Sequence, residues 1–135
     1  MGAAEPTKIA DVACVERGGL SALIAPASIA FIGASERPNA PATRGLRHCL
    51  RLGFGGPLFA VNPKHTALFG VPCVPAVEAL AQAVDLAVIA LPAEGTLRAV
   101  AECQRLGVRA AVICSSGWDE SGEAGQERGR ALQSL

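Results

Sequence analysis

Four stretches of the 135-residue chain place small, hydroxyl-bearing or cationic residues directly after apolar runs. They are Gly33-Ala34-Ser35, Asn62-Pro63-Lys64-His65, Leu91-Pro92-Ala93 and Cys114-Ser115-Ser116-Gly117. Small residues admit a ligand close to the backbone, N–H groups and hydroxyls can cradle a phosphate, and Lys64, His65 or Arg37 can add positive charge. Phosphate recognition is the chemistry these residue types point to. The spacing in "GASERP", from Gly33 onward, is not the dinucleotide pattern G-x-G-x-x-G. His48 and His65 belong to no triad or zinc spacing, and no C-x-x-C occurs among Cys14, Cys49, Cys73, Cys103 and Cys114. No residue is assigned to catalysis or to a metal. Each feature also has a plainer reading: Gly33 as a tight turn, Lys64 as a solvated loop lysine, Trp118 as a packing residue, Ser115 and Ser116 as helix caps.

These stretches need elements that bring them to one edge. The run around residues 29–32 reads as a buried strand, "PLFAVNP" as a second stopped at Asn62-Pro63, and "VDLAVIALP" as a central strand apolar on both faces. "VRAAVICSSG" reads as another buried strand. Between them, residues 44–52 place Leu46, Cys49 and Leu50 on one helical face, with Arg44, Arg47, His48 and Arg51 mostly on the other. Residues 96–106 repeat Leu97, Val100, Cys103 and Leu106 at helical spacing, and Gly53 and Gly107 end the two helices. "LSALIAP" predicts a short helix ended by Pro26, and "FGVPCVPAVEAL" one helical turn near Val77 to Ala81. "DESGEAGQERGRALQSL" reads as loop and helix, with Glu120 and Glu123 early in it. Strand and helix alternate, which predicts an α/β fold: a doubly wound, mainly parallel sheet of the Rossmann type. Ligands of such sheets bind beyond the carboxyl ends of the strands. Residues 1–18 have no clear period and read as a flexible N-terminal segment, leaving 19–135 as one domain.

Twelve basic residues balance twelve acidic ones, so neither nucleic acid nor a membrane surface is expected as a partner. Half the residues are hydrophobic and only 4% aromatic, with small aliphatics that let helices sit close on a sheet. Most of the five cysteines read as small buried hydrophobes, which fits a reducing compartment. The N-terminus lacks a basic start followed by a long apolar run, and the apolar runs are too short to span a bilayer. A cytoplasmic protein is the expectation. At the end of the second strand, where a dinucleotide site places an acid on the ribose hydroxyls, the chain offers Lys64 and no carboxylate. That favours a ligand with an additional phosphate: NADP, or coenzyme A with its 3′-phosphate.

Taken in order, "SIAFIGASERP", "GFGGPLFAVNPKH", "GVPCVPAVEAL", "VDLAVIALPAE" and "GVRAAVICSSGWDESGEAG" resemble successive motifs of the CoA-binding domain of NDP-forming acyl-CoA synthetases. The α subunit of succinyl-CoA synthetase carries a more distant version. The resemblance implies that the Gly33-Ala34-Ser35 turn holds the CoA phosphates. It implies that Asn62, Pro63 and Lys64 border the nucleotide end, with Lys64 or His65 on a phosphate. Pro92 and Ala93 would line the pantetheine path, with Ser115, Ser116 and Gly117 nearby. The chain departs from the family's usual residues at Ala42, where a glycine is common, at His48 (Asn) and at Trp118 (Phe). The family's reaction joins an acid to CoA with ATP, giving acyl-CoA, ADP and phosphate, through a phosphohistidine and an ATP-grasp domain. The resemblance places both of these, with ATP/ADP and Mg, outside this chain. It implies CoA or acyl-CoA and the remaining ligase domains as partners, and a truncated N-terminal domain that catalyses nothing alone. Two other functions fit the residues: an NADP-type dinucleotide-binding domain of an oxidoreductase, and a non-catalytic CoA-sensing regulatory domain.

Overall fold

A computed structural model describes residues 19–135. The residues assigned to a flexible N-terminal segment, and Cys14 with them, lie outside the described residues. Six strands form one sheet: β1 (Ile29–Ile32), β2 (Leu58–Val61), β3 (Ala67–Leu68), β4 (Val71–Val74), β5 (Leu86–Ile89) and β6 (Ala110–Ile113), in the order β3-β4-β2-β1-β5-β6. The helices are α1 (Gly19–Ile24), α2 (Pro41–Arg51), α3 (Ala93–Leu106) and α4 (Glu123–Gln133). All pairings are parallel except β3 with β4, an antiparallel hairpin turning at Phe69-Gly70. The central pair runs in register from Ile29 opposite Leu86 to Ile32 opposite Ile89. This is the expected doubly wound α/β fold.

The alternation of side chains along β1 divides the core in two. Ile29 and Phe31 face α2, packing with Ala42, Leu46, Ala60 and Leu86. Ala30 and Ile32 face α3, packing with Ala87, Ile89, Ala99 and Cys103. Small residues bring α2 close: a Cβ on Gly45 would lie 2.9 Å from Phe31 Cε1. The chain leaves β1 through α2 to β2 and leaves β5 through α3 to β6, in opposite directions across the sheet. The strand order therefore reverses between β1 and β5, which is where open α/β sheets form a crevice.

Several local expectations need correction. α2 begins at Pro41 and α3 at Ala93, each three residues earlier than the apolar repeat signals. Leu50, placed on the inner face of α2, is 41% exposed. The "FGVPCVPAVEAL" stretch contains the hairpin strand β4 as well as the helical turn, seen at Val77–Ala79. The segment read as another buried strand, β6, is largely exposed: Ala111 and Val112 both face solvent. Among the described residues β6 pairs only with β5, so its apolar side chains lack the cover that β5 receives. Ser115 and Ser116 do not cap α4, whose N-cap is Gly122.

Candidate functional site

The turn after β1 is fixed from three directions. Gly33 has φ +89°, and a Cβ there would stand 2.3 Å from the carbonyl oxygen of Ala90, so glycine is required by the close passage of the loop after β5. Its N–H donates to Val61 O (3.1 Å). Ser35 N–H donates to Thr43 Oγ1, and that hydroxyl donates back to Ser35 O, both at 2.9 Å. Thr43 is fully buried. Arg37 is exposed, and its backbone N–H donates to Ser35 Oγ (3.2 Å). The turn leads to the start of α2, where Ala40 gives no side-chain cap, Pro41 occupies the first turn and no acidic residue follows. An uncapped helix start without a carboxylate offers N–H groups and the positive end of the helix dipole to an anion. The start of α3 carries Glu94 in its first turn and is the poorer anion seat.

The loop after β2 is tied to this turn. Asn62 Nδ2 donates to Ala34 O (2.9 Å), and Asn62 Oδ1 accepts from Lys64 N–H (2.9 Å). Pro63 and Lys64 are exposed and His65 is half-buried. Beside Pro63, a cleft of about 240 Å³ opens between the ends of β1, β2 and β5, with Ile32, Val61, Leu91, Gly95 and Arg98 in its lining.

The loops after β5 and β6 meet through Thr96. This buried hydroxyl bonds Leu91 O (3.0 Å) and Ser115 Oγ (3.3 Å). A Cβ on Gly117 would lie 3.2 Å from Ala93 Cβ. Trp118 Nε1 donates to Ser115 O (3.1 Å), and Arg128 Nε donates to Gly117 O (2.8 Å). The Glu120 carboxylate accepts from the N–H of Gly117 (2.5 Å) and of Trp118 (3.1 Å). Those donors, Gly117 first, hold Glu120 below the usual carboxylate range.

The whole arrangement is a row of small residues along one edge of the sheet, with the loops braced by their own hydrogen bonds and the uncapped start of α2 beside the turn after β1. Residues 27–131 match the CoA binding domain family. This chain belongs to that family. Over 110 residues it is 37% identical to acetate–CoA ligase [ADP-forming] II of Archaeoglobus fulgidus, covering 82% of this chain and 16% of that protein. The corresponding ligase I of the same organism is 38% identical over the same shares. Among solved structures, the dinucleotide forming acetyl-coenzyme A synthetase 1 of Ca. Korarchaeum cryptofilum, in complex with phosphate and ADP, superposes with a TM-score of 0.77 at 35% identity. It covers 84% of this chain and 24% of that one. The chain thus spans about a sixth of the curated ligases it matches. No helix among the described residues is long and apolar enough to cross a membrane.

The CoA-binding domain carries all the sequence-derived candidates at the carboxyl edge of its sheet. Direct bonds join Ala34 with Asn62, and the segment from Leu91 to Thr96 reaches Ser115. The side chains of Arg37, Lys64 and Ser116 are exposed around that edge. Sequence reasoning missed Thr43, whose hydroxyl closes the turn after β1 onto α2, and Thr96, whose hydroxyl ties the loop after β5 to Ser115 in the loop after β6. Neither has a local signature, because each acts on a partner brought near by the fold. Ala42, where the resemblance leads us to expect a glycine, is fully buried in the core beside Leu46. Its methyl is spent on packing.

Proposed function

We propose that the Gly33-Ala34-Ser35 turn and the start of α2 hold the phosphates of CoA. Asn62, Pro63, Lys64 and His65 border its ribose end in this reading, and Lys64 or Arg37 meets the 3′-phosphate. Pro92, Ala93, Ser115, Ser116 and Gly117 line the path of the pantetheine arm. The adenine ring enters the cleft beside Pro63. The observation that carries the reading is the uncapped, acid-free start of α2 directly after a turn that Thr43 clamps.

The full-length protein is proposed to be an NDP-forming acyl-CoA synthetase, converting acid, CoA and ATP to acyl-CoA, ADP and phosphate in the cytoplasm. Its phosphohistidine, ATP-grasp domain and Mg-dependent nucleotide chemistry would be supplied by other domains, and this chain would bring CoA. The likeness to the ADP-forming ligases of Archaeoglobus supports this assignment. An NADP site fits less well. The loop after β2 offers Lys64 for a phosphate, but the turn after β1 lacks the glycine spacing of a dinucleotide fingerprint. The test is calorimetric titration of the chain with CoA, dephospho-CoA, NAD and NADP. CoA is expected to bind most tightly. NADP binding without CoA binding would reject the reading.

A further inference from the structure

α2 carries Arg44, Arg47, His48 and Arg51 and no acidic residue. Spacings of three and four residues bring these groups to one face of the helix, and all four are exposed. With Pro38 they line a concave groove of about 280 Å³. Helix physics works against this pattern. Arg44 lies in the first turn, where the dipole disfavours a cation, and like charges three and four residues apart repel. Among the described residues no carboxylate pairs with any of the four; the ion pairs there are Arg105–Glu78 and Arg109–Asp85. The chain as a whole is neutral, so the cluster does not reflect general basicity.

Two of the guanidinium groups are held in place. Arg47 lies over the Phe69 ring, 5.7 Å from its centre, on the β3–β4 hairpin. Arg51 Nη2 lies 3.0 Å from His48 Nδ1. Arginine can only donate, so Nδ1 accepts, which leaves His48 Nε2–H as a further donor.

We propose that this groove binds a compact anion of linked phosphates, either free pyrophosphate or the phosphate chain of a nucleoside polyphosphate. Guanidinium forks match phosphate oxygens in pairs. Arg44 and Arg51 are about 10 Å apart along the helix axis at 1.5 Å per residue, a span suited to linked phosphates rather than a single one. The groove's small volume suits one such molecule. A nucleic-acid track or an acidic protein face would call for a broader basic surface.

The test is calorimetric titration of the chain with sodium pyrophosphate at low ionic strength, compared with the double variant Arg47→Ala/Arg51→Ala. Saturable one-site binding is expected in the wild type, and at least tenfold weaker binding in the variant. Arg105→Ala, on α3, should leave it unchanged. The variant's thermal midpoint should stay close to that of the wild type, because the lost contacts to Phe69 and His48 are offset by alanine's helix preference and the relieved like-charge repulsion. A parallel titration with ATP separates the two sources: comparable binding assigns the nucleotide, and pyrophosphate binding alone assigns the free anion. Equal pyrophosphate affinity in wild type and variant would overturn the proposal, as would no saturable binding to the wild type. Loss of binding together with a lowered midpoint would overturn it too, since the arginines would then be structural.

Discussion

Thr43, at the start of α2, and Ser35, in the turn after β1, are joined by two hydrogen bonds of 2.9 Å that run in opposite directions through one hydroxyl. The clamp fixes the turn against the helix whose N-terminus is the proposed phosphate seat. Thr43→Val keeps the shape and leaves the Ser35 N–H and carbonyl without that partner. Stability should fall by about 1–3 kcal/mol, the cost of unmade hydrogen bonds in a part-buried loop. CoA affinity should fall with it, while Thr43→Ser restores most of both. Urea denaturation and calorimetry read the two effects; unchanged CoA affinity in Thr43→Val would remove the clamp from ligand binding.

Gly33 is the position least able to change. Its φ of +89° costs a side chain roughly 1–2 kcal/mol of strain, and the Ala90 oxygen occupies the space a Cβ would need. Gly33→Ala is expected to lower unfolding stability by more than ~2 kcal/mol in total. A denaturation midpoint within error of the wild type would mean the two loops separate at little cost.

Lys64 carries the sharpest ligand prediction. It follows β2 and is exposed at the carboxyl edge, with its backbone held by Asn62. One charge-assisted contact to a phosphate is worth about 1.5–3 kcal/mol, or roughly tenfold or more in affinity. CoA should therefore bind at least ~10-fold more tightly than dephospho-CoA. Lys64→Ala should erase most of that difference and barely alter dephospho-CoA binding. Equal wild-type affinity for the two ligands would take Lys64 out of the site.

The Glu120 carboxylate organises the loop after β6, and its folded-state pKa is lowered chiefly by the Gly117 N–H. Such a group stabilises the loop above the unfolded carboxylate pKa and loses that contribution as pH falls through the lower folded value. Trp118, the chain's one tryptophan, reports on this loop because its backbone N–H donates to the same carboxylate while its indole N–H donates to Ser115 O. Its emission should shift as pH falls below about 4.3, the ordinary glutamate value. Glu120→Gln should remove that transition; its persistence in the variant would assign the signal to another group.

Cys103 is buried, and burial with the nearby Glu102 charge pushes its thiol up to about 11 from an ordinary 9.0. A raised folded-state pKa gives stability that is complete below 9.0 and declines as pH rises toward 11. Cys103→Ala should flatten that alkaline decline. Cys49, Cys73, Cys103 and Cys114 are free. Thiol titration of the denatured, unreduced chain should find all five cysteines of the sequence; among the four described, exposed Cys114 should react first in the folded state. Three thiols instead of five would mean an intramolecular disulfide and would overturn the expectation of a reducing compartment.

Alternating apolar runs and glycine stops were enough to read the mainly parallel sheet, the helix ends at Gly53 and Gly107, and the edge where Gly33, Asn62, Pro92 and Ser115 gather. That information is local: strand, turn and helix each leave a signature within a few residues. The ordered motifs also carried the family, since five stretches in one order match a family that spans residues 27–131. What the sequence did not determine depends on which element lies beside which. "VDLAVIALP" and "VRAAVICSSG" look equally buried as strings, yet β5 lies between β1 and β6 while β6 pairs only with β5 among the described residues. Burial is a property of neighbours, and only strand order assigns them. The same holds for Thr43 and Thr96. Thr43 became a clamp because its helix folds back over the turn after β1 and buries the hydroxyl against Ser35, and Thr96 because packing brings Ser115 of the next loop to it. No spacing along the chain encodes the Thr96–Ser115 contact, whose partners meet only when β5 and β6 pair in the sheet.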